Sequence, residues 1–410
     1  MSKRVRTREP FRGQAVMRFE VPDDALPEDH RARLLWKVVD TLDLTAFTAG
    51  AKAVEGHQGR PLASTRMMLT LWLYAISTGV GSARKIERLT RDDVAFQWIV
   101  GDQTISHSKL SDFRVDHGAA LEKLFTDVLA ALMHRGLLSL ELVAQDGTRV
   151  RASATAPSFR REASLGQCRE QAALHLKAVL AEQDDKEATD AEKAARLRAA
   201  RDYQRRVEAA IATVQTLLAE GKEEPRASTT DADARVMKMA DGGYRPGYNI
   251  QMATAGSPMG GPRTIVGVTV TNVGSDMGSV TPMLDQIERR TCKHPTKLLA
   301  DANHASHACI RECAERGVEA LIAVPKRSQK PGRGGDRDAA VVAWRERMTT
   351  EEAKATFRAR ASLCELPNAQ LKQRCGLRQV LVRGLAKVTC VALMTALAIN
   401  LLQHATKLLA

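Results

Sequence analysis

Apolar residues first fall into a regular order between Ala32 and Gly136, where they recur at helical spacing. Arg33–Leu44 is amphipathic. Leu69, Trp72, Leu73 and Ile76 share one face of a helix that Ser64 can cap and that Gly79 and Gly81 end. Ser82–Leu89 predicts a short helix with Arg84, Lys85 and Arg88 outward, and Asp92 can cap Val94–Ile99. After the Val100-Gly101-Asp102 turn, Ile105–Arg114 resumes the period, so helix, glycine turn and helix follow one another as in a helix-turn-helix. Gly118–Gly136 carries a stripe of Leu121, Leu124, Phe125, Val128, Leu129 and Leu132, which reads as core.

The period then changes. Ser139–Asp146 is a strand, and Arg149–Ala154 is expected to pair back on it as a hairpin. Gln167–Glu220 has no Gly or Pro, and Ala200, Tyr203, Val207, Ala210, Val214 and Leu217 repeat at coiled-coil spacing, predicting a helical hairpin. Gly247–Ala253 and Thr264–Thr271 are strands joined by the glycine-rich Ala255–Gly261. Asp276 or Ser275 starts a helix through Ile287, Lys297–Ala300 is a buried strand ending at Asp301, and Ala305–Arg316 is a helix closed by Gly317. Ala320–Val324 is a further strand, Lys326–Asp338 a mobile basic loop, and Ala339–Gly376 an interrupted helix. Val388–Leu402 is apolar almost all round and is expected to be buried. Its length falls below the ~20 residues that span a bilayer, which argues against a membrane protein.

Charge changes what this plan is for. The 410 residues carry a formal net charge of +13, which favours an anionic partner, nucleic acid first. No Asp or Glu occurs from Leu366 to Ala410, whereas Lys372, Arg374, Arg378, Arg383, Lys387 and Lys407 do, the pattern of a phosphate-backbone contact. The 7 cysteines are scattered without paired spacing, as in a reducing compartment, and the basic Met1–Pro10 is not followed by an apolar run, so a cytoplasmic location is expected.

Three acids end core elements: Asp146, Asp301 and Glu365. Carboxylates on rigid strand ends can hold two magnesium ions, which stabilise both the attacking and the leaving oxygen of a phosphodiester. Three strands, then alternating helices and strands, with acids on the first strand, the fourth strand and a late helix, is the RNase H-like plan. The expected fold class is α/β (α+β), a mixed sheet with flanking helices. The expected domains are a flexible basic arm (1–31), a helical DNA-binding or dimerisation domain (32–137), a catalytic domain (138–158 and 226–410) and a helical insertion (159–225). His304, His307, Cys309 and Cys313 lack the usual zinc spacing and read as ordinary residues, and Asp231 and Asp233 as turn or cap residues.

Several stretches resemble bacterial insertion-sequence transposases of the DDE class, nearest the IS1182 group and close to the IS5 and IS4 types. They are Asp92–Phe96, Leu110–Arg114, Ala144–Ser153, Thr230-Asp231, Asp233–Arg235, Gly247–Asn249, Glu365, Asn368-Ala369 and Leu381–Val388, in the family's order over nearly the whole chain. The resemblance implies that Asp146, Asp301 and Glu365 are the catalytic triad, holding two divalent ions, Mg2+ or Mn2+. It implies that Lys372 matches a lysine that contacts end DNA, and that Phe357 and Arg360 stand near the tyrosine and arginine of the same signature, one residue further from the glutamate. Arg378, Arg383, Lys387, Lys109, Arg114 and Arg149 complete the expected DNA contacts. The implied partners are double-stranded DNA (terminal inverted repeats and target) and a second copy of the chain. Two features depart from the family's pattern: Ala302-Asn303-His304 where glycines usually follow the second aspartate, and Pro367, which would put Glu365 at the start of a helix. An alternative reading is a transposase-derived DNA-binding repressor without catalysis.

Overall fold

Helices fill the N-terminal third of the computed structural model, which describes residues 21–49, 62–101, 103–182, 189–325 and 338–410. The arm expected over 1–31 falls mostly, and the basic loop 326–338 almost wholly, outside the described residues. Among the described residues α1 (Arg31–Asp40), α2 (Thr65–Ser77), α3 (Ala83–Asp92), α4 (Val94–Val100), α5 (His107–Asp116) and α6 (Gly118–His134) form in turn. Ser64 Oγ accepts from Met67 N at the start of α2, as its position suggests, whereas the cap of α4 is Asp93 rather than Asp92. From Met67 to Ser77 every residue of α2 is buried, since neighbours cover it on all sides, α1 and the last helix of the chain among them.

The sheet begins with β1 (Leu142–Arg151), followed by β2 (Phe159–Arg160), α7 (Glu162–Ala181), α8 (Asp190–Ala219) and β3 (Ala227–Ser228). β1 is one unbroken strand: Arg149 does not fold back but continues antiparallel to a later strand, because Gly147 marks a close approach and not a turn. β2 pairs with β3 and closes the base of the α7–α8 hairpin, whose small core is Leu165, Ala210, Val214 and Ala227. Next come β4 (Arg235–Lys238), β5 (Tyr244–Ala255), β6 (Thr264–Thr271), α9 (Val280–Thr291), β7 (Lys297–Ala300), α10 (His307–Glu315), β8 (Glu319–Ile322), α11 (Ala339–Arg347), α12 (Glu351–Ala369) and α13 (Leu385–Leu409). The order across the sheet is β6-β5-β1-β7-β8, with β4 extending the β6 edge. β6, β5 and β1 are antiparallel, while β7 and β8 run parallel to β1. This is the RNase H-like mixed sheet with flanking helices.

A strand with one free edge presents unpaired backbone groups that must find partners. On β6 side-chain amides supply them. Asn400 bonds both N and O of Ile265 (2.9 and 2.7 Å), Gln403 those of Arg263, and Gln286 those of Val268. Asn400 and Gln403 of α13 are thereby explained, since the helix lies along this edge. By length and composition α13 could cross a membrane, more so than the shorter run Val388–Leu402 suggested. Here 72% of its most apolar window is buried within the protein, against α1, α2, α5, α6 and β6.

One face of the sheet is covered by α12: Leu142, Ala144, Leu299 and Leu321 meet Ala353, Ala359, Leu363 and Cys364. Pro367 lies inside α12 near its end, and Gln370–Arg374 then widens into a π turn. Glu365 is therefore near the C-terminal end of its helix, not at the start as Pro367 suggested. A proline there leaves out only one backbone bond, in a helix with more than three turns already formed.

Candidate active site

Side chains alternate across a strand, so Asp146 follows Leu142 and Ala144 onto the α12 face, and Asp301 follows Leu299. The parallel register pairs Ala144 with Leu299, and two residues further along both strands stand Asp146 and Asp301. Beyond Ala144 the edge of β1 has no strand beside it, among the described residues, until Arg151 bridges to Gln379. The sheet thus has a notch. A cavity of about 480 Å³ opens there, lined by Asp146, Gly147, Thr148, Arg149, Glu365, Asn368, Lys372 and Arg378 among others.

Each aspartate is held differently. Asp146 Oδ1 accepts from Gly147 N (2.9 Å), and its Oδ2 accepts from Asn368 Nδ2 (3.2 Å) and faces Arg360 Nη1 at 3.9 Å. Burial raises its pKa and the charge of Asp301 adds to this, with Arg360 acting the other way. Asp301 caps the turn Ala302–His304: Oδ1 accepts from Asn303 N (2.9 Å) and faces His304 Nδ1 (2.7 Å), and Oδ2 accepts from Asn303 Nδ2 (3.1 Å). Burial works to raise its pKa, but His304, the Asn303 amide and Arg360 outweigh it, and the carboxyl sits below its ordinary value. The two acids repel each other across neighbouring strands, and a cation between them would relieve that repulsion.

Glu365 is exposed on the cavity wall and lines it with Asp146. Cys364 sits where all three acids act. Burial first, then Asp146, Asp301 and Glu365, push its thiol up to about 12, against the opposing charge of Arg360. Even so, no three His, Cys, Asp or Glu groups among the described residues lie close enough to hold one ion together. The structure brings Asp146 and Asp301 together on neighbouring strands and sets Glu365 with Asp146 in the lining of one cavity.

The basic residues divide. Lys372, Arg378 and Arg149 line the acid cavity, and Arg360 faces Asp146. Burial lowers the pKa of Lys372 and so do Arg378 and Arg149, with Asp146 opposing, so the wall is crowded with like charge. Arg383 and Lys387 line a second cavity of about 570 Å³, with Asp231 and Asp233. Those two acids organise the entry to α13: Asp231 Oδ1 accepts from Tyr248 OH and Gly384 N, and Asp233 Oδ2 from Leu385 N. Lys109 is exposed on α5 and lines neither cavity. Arg114, expected as a DNA contact, also lines the second cavity but is held mostly inside the protein. It is 5% exposed, its guanidinium lies 4.5 Å from the Trp72 ring centroid, Nη1 donates to Gly81 O, and burial pushes its pKa down to about 10.

The family model described as Transposase DDE domain matches residues 224–401, and a Transposase domain (DUF772) model matches residues 20–116. The chain belongs to the DDE transposases. Comparison with curated proteins and with solved structures gave no match. In this DDE transposase the DDE-domain match begins beyond Asp146 and the α7–α8 hairpin, so it contains Asp301 and Glu365 but not Asp146. DDE transposases are DNA-cleaving and DNA-joining enzymes that generally use divalent metal ions, and their substrate is DNA.

Sequence reasoning passed over four residues of this transposase that the site depends on. His304 reads as a departure from the family, Asp276 as a helix start, and Gln251 and Asn368 as unremarkable. One signal was visible: Asn249 and Gln251 alternate with apolar Tyr248, Ile250 and Met252, which marks a polar stripe on one face of a buried strand.

Proposed function

We propose that this transposase cuts and rejoins the ends of its own element, with Asp146, Asp301 and Glu365 holding two divalent ions, Mg2+ or Mn2+. The observation that carries this is the adjacent pair Asp146 and Asp301, the first of which lines a notch walled by Lys372, Arg378 and Arg149. The donors fit: carboxylate oxygens suit magnesium, and one or two per ion suffice. When bound, the ions activate water or a 3′-OH and stabilise the leaving oxygen. Glu365, near the end of α12 and in the same cavity lining as Asp146, completes the set. Lys372, Arg378 and Arg149 bind the phosphates that pass through the notch, and Arg360 offsets the charge of Asp146. The wider basic surface, with Arg383, Lys387 and Lys109, tracks flanking DNA at the terminal inverted repeats or the target. Two ends must be joined, so the working complex is a homodimer, acting in the cytoplasm on the bacterial nucleoid.

The test is a cleavage assay on the DNA flanking the native locus with Mg2+. The wild type is expected to cut the ends, and D146N to bind them without cutting. A wild type that binds but never cuts supports the alternative, a transposase-derived repressor.

A further inference from the structure

Behind the two aspartates runs a buried chain of polar side chains that the proposed cleavage does not use. Asp276, 7% exposed, accepts at Oδ1 from Asn249 Nδ2 (2.8 Å) and Gln251 Nε2 (2.6 Å), and at Oδ2 from Arg149 Nη2 (3.2 Å). A carboxylate only accepts, so Asp276 fixes which end of Gln251 points where. Gln251 Oε1 is thereby turned toward Gln145 Nε2 and His304 Nε2, both at 3.2 Å. His304 is fully buried and presents Nδ1 to Asp301 Oδ1 at 2.7 Å. An unbroken path therefore leads from Arg149 in the cavity wall, through Asp276, Gln251 and His304, to the second aspartate.

Burying an acid, amides and an imidazole is costly even when they are bonded to one another, and apolar side chains would fill the same space. Asp301 has reason to need them. Its other partners, the backbone and side chain of Asn303, belong to its own turn and move with it. His304 is itself tied to β5, the strand paired with β1, which carries Asp146.

We propose that His304, oriented by Gln251 and Asp276, is the positioning residue of Asp301, locking its carboxylate in the direction that lets it share a divalent ion with Asp146. This rests on the reading of Asp146 and Asp301 as the metal-holding pair. Among the described residues Asp301 Oδ2 has one partner, so it keeps acceptor capacity for an ion.

The experiment titrates Mn2+ into the full-length wild type, D301N, H304A and H304Q, reading bound ion by electron paramagnetic resonance. DNA binding by gel shift and thermal melting are followed in parallel. Outer partners of metal ligands typically account for about 10–100-fold in affinity. H304A is expected to bind Mn2+ at least about 10-fold more weakly, with DNA binding unchanged. H304Q, which keeps one amide donor for Asp301, is expected to recover most of the loss. Wild-type Mn2+ affinity in H304A overturns the proposal. If H304A does not fold, Q251M cuts the path one link further away, and wild-type affinity there overturns it equally. A wild type with no Mn2+ site sensitive to D301N overturns the metal reading and this proposal together, whereas a D301N-sensitive site indifferent to His304 overturns this proposal alone.

Discussion

Gly147 lies against Asp276 so closely that a methyl group on it would collide with the Asp276 carboxylate and the Gln251 amide. Its backbone is not in the left-handed region, so the requirement is for space and not for conformation. Both obstacles are ends of side chains, but each is pinned by the other and by Asn249 or His304, so neither can swing aside. G147A is expected to lower stability by about 1–3 kcal/mol, as overpacking does, and to impair Mg2+-dependent cleavage. A denaturant melt and the cleavage assay check it. A variant as stable and active as wild type would show that the polar pocket yields.

Glu122 on α6 and Arg290 on α9 tie the helical region to the sheet. The Arg290 guanidinium is 1% exposed, lies 4.5 Å from the Phe125 ring centroid and donates to both Glu122 oxygens (2.9 and 2.8 Å). E122A leaves that cation buried and unpaired. About 3 kcal/mol of destabilisation is expected, the low end for broken buried pairs because Glu122 is itself about a third exposed. Burial works to raise the Glu122 pKa, yet the bonds and charge of Arg290, with Arg289, hold it below the usual range. A depressed folded pKa stabilises above the unfolded value, ~4.3, and that contribution is lost as pH falls through the folded value. The gap between wild type and E122A in chemical melts should therefore be full at neutral pH and shrink in acid below that range. A gap that widens in acid contradicts the assignment.

Lys372 and Arg114 should separate cleanly. K372A removes one phosphate contact from the notch, so binding of end DNA weakens and the slope of log K against log salt falls by about 1, with little change in melting temperature. R114A takes a cation from under Trp72 and from Gly81 O, so it should lower the melting temperature first. Equal salt slopes in K372A and wild type would remove Lys372 from the DNA path.

Cys364 should be inert in the folded protein. With its thiol pushed up to about 12, roughly one part in 10⁴ is thiolate at pH 8, and thiolate is the reactive form. The exposed Cys292 should alkylate under conditions that leave Cys364 untouched until denaturant is added, as mass spectrometry of digests can show. Rapid labelling of native Cys364 would mean that α12 lifts from the sheet.

Much of the architecture was legible along the chain because local patterns there agree with tertiary packing. Thr264–Thr271 reads as a strand and is one. Ser64 caps as its position suggests. The repeat from Ala200 to Val214 marks the seam that α8 buries. The acids Asp146 and Asp301 could be picked out because each follows an apolar strand segment. What the chain by itself determined was this: which segments are strands or helices, which face of each is apolar, and where positive charge accumulates. Those properties depend on spacing over a few residues. Folding alone decided that Asp146 and Asp301 stand side by side and that Glu365 joins Asp146 in one cavity lining, that Asp276 and His304 meet through Gln251, and that Arg114 turns inward onto Trp72. Each of these joins residues far apart in sequence, and no local period records which strand lies beside which or what a buried polar group will find as its partner.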